Sequence, residues 1–205
     1  MTRLERGAAA VLWLGTLGAC SVLPSPAPPR YEYLVLTTSA LAAPVAGGVT
    51  VAIDDVRLPA YLERAELVTR LSDNQIQFSP RARWAEPLSN AVPRVLADDL
   101  ATALAGSGVR VVARGGDADL ALDIAVDQLE GPVAGPVRVR ARWSLRRAGQ
   151  RALAGSGQLT ADEPVRGPSA ETAAALSRLL VRLSTALAAD VRGHAAATPA
   201  DPAAP

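Results

Sequence analysis

With 205 residues, the chain is long enough for one domain with its own core and short for two. About half of it is apolar but only 3% is aromatic, so Ala, Val and Leu must carry a core of packed strands and helices. The formal charge is +1, and removal of Arg3, Glu5 and Arg6 with the first 19 residues leaves 19 basic and 19 acidic side chains; such a balance sets up no overall field for nucleic acid.

The first segment is a targeting signal. Met1 to Arg6 is short and charged, and Gly7 to Ala19 is apolar and small, with Leu12, Trp13, Leu14 and Leu17 at its centre. A spanning helix needs ~20 apolar residues to cross ~30 Å of hydrocarbon, and this run is shorter and meets a proline-rich stretch. It ends in Leu17-Gly18-Ala19-Cys20, which resembles the bacterial lipobox: Leu three positions before the cysteine, then two small residues. The lone cysteine supplies the thiolate that lipidation requires, so residues 1–19 are expected to be a cleaved signal peptide and Cys20 the lipidated N-terminus. A buried free thiol is the alternative, and it has little structural use at this place. Two or more acyl chains, at ~0.8 kcal/mol per buried CH₂, make such an anchor effectively permanent. Ser21, rather than Asp, follows the cysteine and points to the outer membrane. Residues 20–30 hold four prolines and read as an extended linker that lifts the domain from the bilayer.

A globular domain is expected over 31–192. Tyr31 to Leu36 and Val49 to Val56 read as strands, and Ala65 to Leu71 and Gln75 to Ser79 flank a Ser72-Asp73-Asn74 hairpin turn. Pro87 suits a helix start; Leu88, Val92, Val95, Leu96, Leu100 and Leu104 then recur at helical spacing until Gly106, with Pro93 expected to kink the first turns or delay them. Val109 to Ala113 reads as a short strand. Residues 119–127 alternate, with Leu120, Leu122, Ile124 and Val126 on one face and Asp119, Asp123 and Asp127 on the other; 137–146 repeat the pattern with Val137, Val139, Ala141, Trp143 and Leu145 against Arg138, Arg140, Arg142 and Arg146. Antiparallel pairing that sets Asp127 opposite Arg138, Asp123 opposite Arg142 and Asp119 opposite Arg146 satisfies both faces and puts Leu122 beside Trp143. The arginine stripe is then a solvated salt ladder; phospholipid headgroups are its alternative partner. A second helix is expected from Ser169 to Val191, with Leu176, Leu179, Leu180, Leu183, Leu187 and Val191 on one face. Residues 193–205, including the only histidine, His194, are expected to be a disordered Ala/Pro tail. The fold class is therefore α+β, a two-layer arrangement of a mostly antiparallel or mixed sheet under two amphipathic helices.

Little here supports an enzyme. One histidine and one cysteine build neither a metal site nor a Ser-His-Asp triad, and no cofactor is expected. Gly106-Ser107-Gly108 and Gly155-Ser156-Gly157 lack the spacing of a nucleophile elbow or phosphate loop and read as turns. Asp54, Asp55, Glu63 and Glu66 cluster near a loop, as surface acids commonly do.

Two segments carry a family resemblance: Val56-Arg57-Leu58-Pro59-Ala60-Tyr61-Leu62-Glu63-Arg64, continuing to Leu67-Val68-Thr69-Arg70, and Arg83-Trp84-Ala85-Glu86-Pro87-Leu88. With the lipobox and the order of elements, they resemble the ABC-type transport auxiliary lipoproteins of the PqiC/YmbA type over about 17–190, leaving out the insertion-like stretch 39–48 and the tail. The resemblance implies an outer-membrane lipoprotein that works with a membrane-embedded transport component and a periplasmic MCE-type protein in lipid transport and envelope maintenance. A homo-oligomer is compatible with that role, and the alternatives are an envelope lipoprotein that itself holds a lipid or other apolar ligand and a purely structural envelope protein. On the residues themselves, Leu58, Pro59, Tyr61, Leu62 and Trp84, with Arg64, Arg70 and Arg83, are candidates for a partner surface, because aromatic and arginine side chains dominate interface energetics. The alternative is that Tyr61, Leu62 and Trp84 fold back onto the core while the arginines grip the Glu86 side of the loop.

Overall fold

The computed structural model of the protein describes residues 30–39, 48–114 and 117–196. The signal segment, Cys20, nearly all of the linker, most of 39–48 and the tail beyond 196 lie outside the described residues. From Tyr31 onward the chain forms one compact unit.

Eight strands and two helices follow in the order β1 (Glu32–Leu34), β2 (Val49–Arg57), β3 (Glu66–Ser72), β4 (Gln75–Trp84), α1 (Leu88–Ala103), β5 (Val109–Val112), β6 (Leu120–Pro132), β7 (Val137–Arg147), β8 (Leu153–Glu163) and α2 (Ser169–Ala196); a 3-10 turn, Ala60–Leu62, joins β2 to β3. The strands make a single mixed sheet. β6 is its hub, parallel to β2 along its first half, parallel to β3 at Gly131 and Pro132, and antiparallel to β7 throughout. β2 and β5 pair in parallel, as do β1 and β4, while β3 with β4 and β7 with β8 are antiparallel. Both helices pack on one face, α1 over β2 and β5, α2 over β7 and β8, and the two helices are in contact with each other. This is the two-layer α+β arrangement expected from the alternation of strands and apolar-striped helices.

The alternating faces fall where their pattern puts them. Leu120, Leu122, Ile124, Val126, Val137, Val139, Ala141, Trp143 and Leu145 are buried, and so are Leu176, Leu179, Leu180, Leu183, Leu187 and Val191 of α2. Each fully buried leucine contributes about 1.5–3 kcal/mol of transfer free energy. By length and composition α2 is apolar enough to cross a membrane, but eleven of its residues are buried, so its apolar stripe belongs to the core.

Several local expectations are corrected. Pro93 does not delay α1, which begins at Leu88 behind Pro87 and runs through Pro93; the missing N–H removes only the donor that would have met the Ser89 carbonyl. β6 and β7 are antiparallel, yet Ile124, not Leu122, lies opposite Trp143, and Ala125 lies opposite Arg142. This register is displaced by two residues from the expected one. A two-residue slide leaves every side chain on its own face, so alternation alone cannot detect it. A bulge after Val126 then shifts the ladder again, and Leu129, Glu130 and Gly131 are buried in succession. The arginines consequently reach diagonally, Arg142 to Asp127 (2.9 Å) and Arg146 to Asp123 (2.6 Å), whereas Arg138 turns to Asp162 on β8 (2.6 Å). Asp119 meets no arginine there; it accepts the amide and hydroxyl of Thr50, both at 2.7 Å.

Gly155-Ser156-Gly157 is not a turn but lies in the first half of β8. A Cβ on Gly157 would come within 2.3 Å of the Trp143 ring, and one on Gly155 within 2.5 Å of the His194 ring, so these glycines form a floor for two aromatic rings. His194 is ordered within α2, which continues past Gly193 to Ala196; its Nδ1 lies 2.9 Å from the Asp190 carbonyl oxygen. The Trp143 indole N–H donates to Asp190 Oδ2 at 2.9 Å, so helix and sheet are joined here by a polar contact at the end of an apolar seam.

Candidate functional site

The candidate residues gather where β2, the 3-10 turn, β3 and β4 meet. Pro59 opens the turn, and the Leu62 and Glu63 amides donate to the Pro59 and Ala60 carbonyls at 2.9 and 3.2 Å. This tight turn drives Leu62 inward, to 2% exposure, while Leu58 and Tyr61 pack half-buried against the core edge. Trp84 is also a core residue, at 6% exposure, and its amide donates to the Ala65 carbonyl. Leu62 and Trp84 therefore spend their apolar surface inside the domain.

Tyr61 and Arg70 converge on Glu130, an acid at 1% exposure that sequence reasoning did not single out. The Tyr61 hydroxyl donates to Oε2 at 3.1 Å, and Arg70 donates through Nε (2.8 Å) and its terminal nitrogen (2.7 Å) to Oε1. The Leu129 amide donates to Oε2 at 3.0 Å. Both carboxylate oxygens are thus satisfied, as a buried charge requires. Burial, followed by the Glu130 charge and hydrogen bond, pushes the Tyr61 phenol up to about 12. The hydrogen bond to Glu130 likewise raises the Arg70 guanidinium above its ordinary value. Arg70 also donates to the Asp73 carbonyl at 3.0 Å, tying the hairpin tip to the cluster. The signal for Glu130 was the phase break between Val126 and Leu129: a bulge rotates the strand and turns the following acid inward.

The other two arginines serve Glu66, not Glu86. Arg64 Nε lies 3.4 Å and Arg83 NH2 3.5 Å from its carboxylate; the Glu66 backbone amide and then these cations hold its carboxyl below the usual range. Arg64 also stacks over Phe78 (4.7 Å) and Arg83 over Tyr31 (4.1 Å). Glu86 pairs instead with Arg94 of α1. Two further acids near this loop also face arginines, Asp55 with Arg57 at 3.5 Å and Asp54 with Arg146 at 4.0 Å.

Beside the cluster lies an open groove of about 280 Å³ between the β3–β4 hairpin and the end of β6, lined by Arg70, Leu71, Glu130, Pro132, Pro136 and Arg138 among others. Its two arginines are already paired, Arg70 with Glu130 and Arg138 with Asp162. Among the described residues, no group of three His, Cys, Asp or Glu side chains is placed to hold a metal ion.

The model of the ABC-type transport auxiliary lipoprotein component matches residues 34–188, spanning the sheet from the end of β1 to late α2. The chain belongs to this family. Among solved structures, a crystal structure of an uncharacterized protein superposes on this auxiliary lipoprotein with a TM-score of 0.65 at 21% identity, covering 79% of this chain and 99% of that one. A Xanthomonas campestris protein of the DUF330 family does so with a TM-score of 0.65 at 16% identity, covering 81% and 97%. At such identities the likeness concerns the fold. No curated relative matches the chain. Membership of the family makes the protein an envelope lipoprotein associated with a transport system.

Proposed function

We propose that this auxiliary lipoprotein is acylated on Cys20, held at the periplasmic face of the outer membrane, and docks a periplasmic MCE-type protein to its transport system without catalysing a reaction itself. The observation that carries this reading is the family match over 34–188 directly behind an apolar segment that closes on Leu17-Gly18-Ala19 and the single cysteine. A tether of this kind needs a rigid domain and a partner surface, not a reaction centre, and the arginine-rich edge around the 3-10 turn supports it.

Within that edge the residues divide by exposure. Arg64 is exposed, and Leu58, Pro59, Tyr61, Arg70 and Arg83 are half-buried, so they are the members able to meet a partner; Leu62 and Trp84 set the shape of the turn from beneath. The guanidinium stacks on Phe78 and Tyr31 hold two of the arginines in place ahead of binding, which lowers the entropy lost on association.

Two measurements test the reading. Intact mass of the processed product should show a cleaved chain starting at Cys20 with acyl chains attached, and fractionation should place it with the outer membrane; an unmodified thiol or release into the soluble periplasm defeats the anchored reading. Co-purification of an MCE-type protein with the intact lipoprotein, weakened by Arg64→Glu, supports docking, and loss of neither partner nor affinity in that variant defeats the proposed surface.

A further inference from the structure

β8 forms a border of the sheet. Among the described residues it pairs with β7 alone, and it runs for 11 residues. Natural sheets blunt long edges with lysine, proline or a covering element, because unpaired amides and carbonyls template another strand. From Leu153 to Ala161 this edge holds no lysine, no proline and no charge, and Ser156, Gln158 and Thr160 are exposed along it.

The ladder fixes which backbone groups are open. In an antiparallel sheet the N–H and C=O of a residue point to the same side, and successive residues alternate. The Ala148 amide donates to the Asp119 carbonyl at 2.9 Å, so the even-numbered residues of β7 turn towards β6 and the odd-numbered ones towards β8. Their partners on β8 are Gly157 opposite Trp143, Leu159 opposite Ala141 and Ala161 opposite Val139, and these spend their groups on β7. The groups of Ser156, Gln158, Thr160 and Asp162 therefore point out of the sheet. Arg182 of α2 covers the end of the row, donating to the Asp162 carbonyl at 3.0 Å, which leaves the stretch centred on Gln158 open.

That stretch is complementary to itself. Antiparallel pairing with β8 of a second copy, about a twofold axis at Gln158, sets Ser156 opposite Thr160 on both sides of the axis and Gln158 opposite its equivalent, and it closes every open group of the three. Hydroxyl meets hydroxyl, a favourable cross-strand pair. Leu159 of each copy falls beside Gly157 of the other, next to the Trp143 ring that lies against that glycine. No like charges meet, because Asp162 and Glu163 fall opposite Ala154 and Leu153 and are already paired with Arg138 and Arg178. The helix layer also has room. α2 covers β7 and β8, so its axis lies about one strand spacing from the twofold, and two copies come to about 10 Å, an ordinary helix-packing distance. Between Arg178, which holds Glu163, and Asp190, which accepts the Trp143 indole N–H, the helix exposes only Arg182, Thr185 and Ala189.

We propose that β8 is an interface between copies of this chain, joining two molecules through antiparallel β8 strands about an axis at Gln158 into one continuous sheet. β8 and the edge that carries Arg64 belong to different borders of the sheet, so the inference stands or falls apart from the docking reading.

The test uses the full lipoprotein in its own membranes, oxidised with copper phenanthroline. Gln158→Cys places two thiols on the axis with a Cα separation of about 5.5 Å, within disulfide range, and should give a reducible dimer as the main species. Equivalent positions 160 stand about 13 Å apart along the paired strands, so Thr160→Cys should give several-fold less, with the parent chain as the control for any bridge through Cys20. Equal cross-linking at 158 and 160, or none at 158, overturns the proposal. Gln158→Lys, a change at an exposed position, sets two like charges together on the axis and should lower the dimer share several-fold in detergent, measured by light scattering. An unchanged oligomeric state in that variant overturns the proposal, because the assembly then uses another face.

Discussion

The two wings of the sheet are held by different physics. In the wing of β6, β7 and β8, the inner face is dry and apolar beneath α2, and the charges stand outside as diagonal arginine–carboxylate pairs. In the wing of β1, β4 and β3, the helices cover less, and a buried acid, Glu130, gathers Tyr61, Arg70 and a backbone amide at the seam where β3 meets β6. The same residue types therefore do unequal work: an arginine pair in solvent contributes little, while one that neutralises a nine-tenths-buried carboxylate protects the fold from an uncompensated charge.

Substitutions can break this contrast in order of expected effect. Leu183→Ala, under the fully buried stripe of α2, should cost about 2–5 kcal/mol in urea unfolding, from lost transfer energy and an incompletely collapsed cavity. Arg70→Met should cost about 3 kcal/mol, because Glu130 keeps its burial and loses its cation; the double variant Arg70→Met with Glu130→Gln should recover part of that loss, and its failure to do so would remove the ionic account of this wing. Gly157→Ala drives a methyl into the Trp143 ring and should cost about 1–3 kcal/mol, with a shift in tryptophan fluorescence. Arg142→Ala, which deletes an exposed pair with Asp127, should leave the urea midpoint close to that of the parent chain, since a solvent-screened pair contributes little.

Alkaline pH separates the wings without a large mutation. Because the Tyr61 phenol is raised from 10.0 to about 12, its stabilising contribution is complete below pH 10 and is lost as pH rises through 12, where the folded state must deprotonate a phenol held against Glu130. Tyr61→Phe should flatten the pH dependence of unfolding between these values. A variant with unchanged slope would show that the phenol titrates freely.

The structure also shows how far local pattern reaches. The β6 and β7 faces were readable because alternation reports which side of a sheet a residue occupies. Their register was not, since sliding by two residues preserves the pattern, and β8 escaped notice because Gly155 and Gly157 look like turn residues until Trp143 and His194 are seen to lie against them. At the candidate surface, Arg64, Arg70 and Arg83 were visible as arginines near a turn and Glu66 as one of the acids beside it, but their pairing was not, and Glu130 was not singled out at all. Glu130 stands sixty residues from Arg70, and only the parallel crossing of β3 and β6 brings them together.

By itself, the sequence determined the elements other than β8, the buried faces of β6, β7 and the two helices, the two-layer class and the single thiol behind an apolar segment, all consequences of spacing along a few residues. Tertiary structure decided the register of the ladder, the inward turn of Glu130 and the fate of His194. Those depend on contacts between residues far apart in the chain, whose geometry is set by the packing of the whole sheet against its helices.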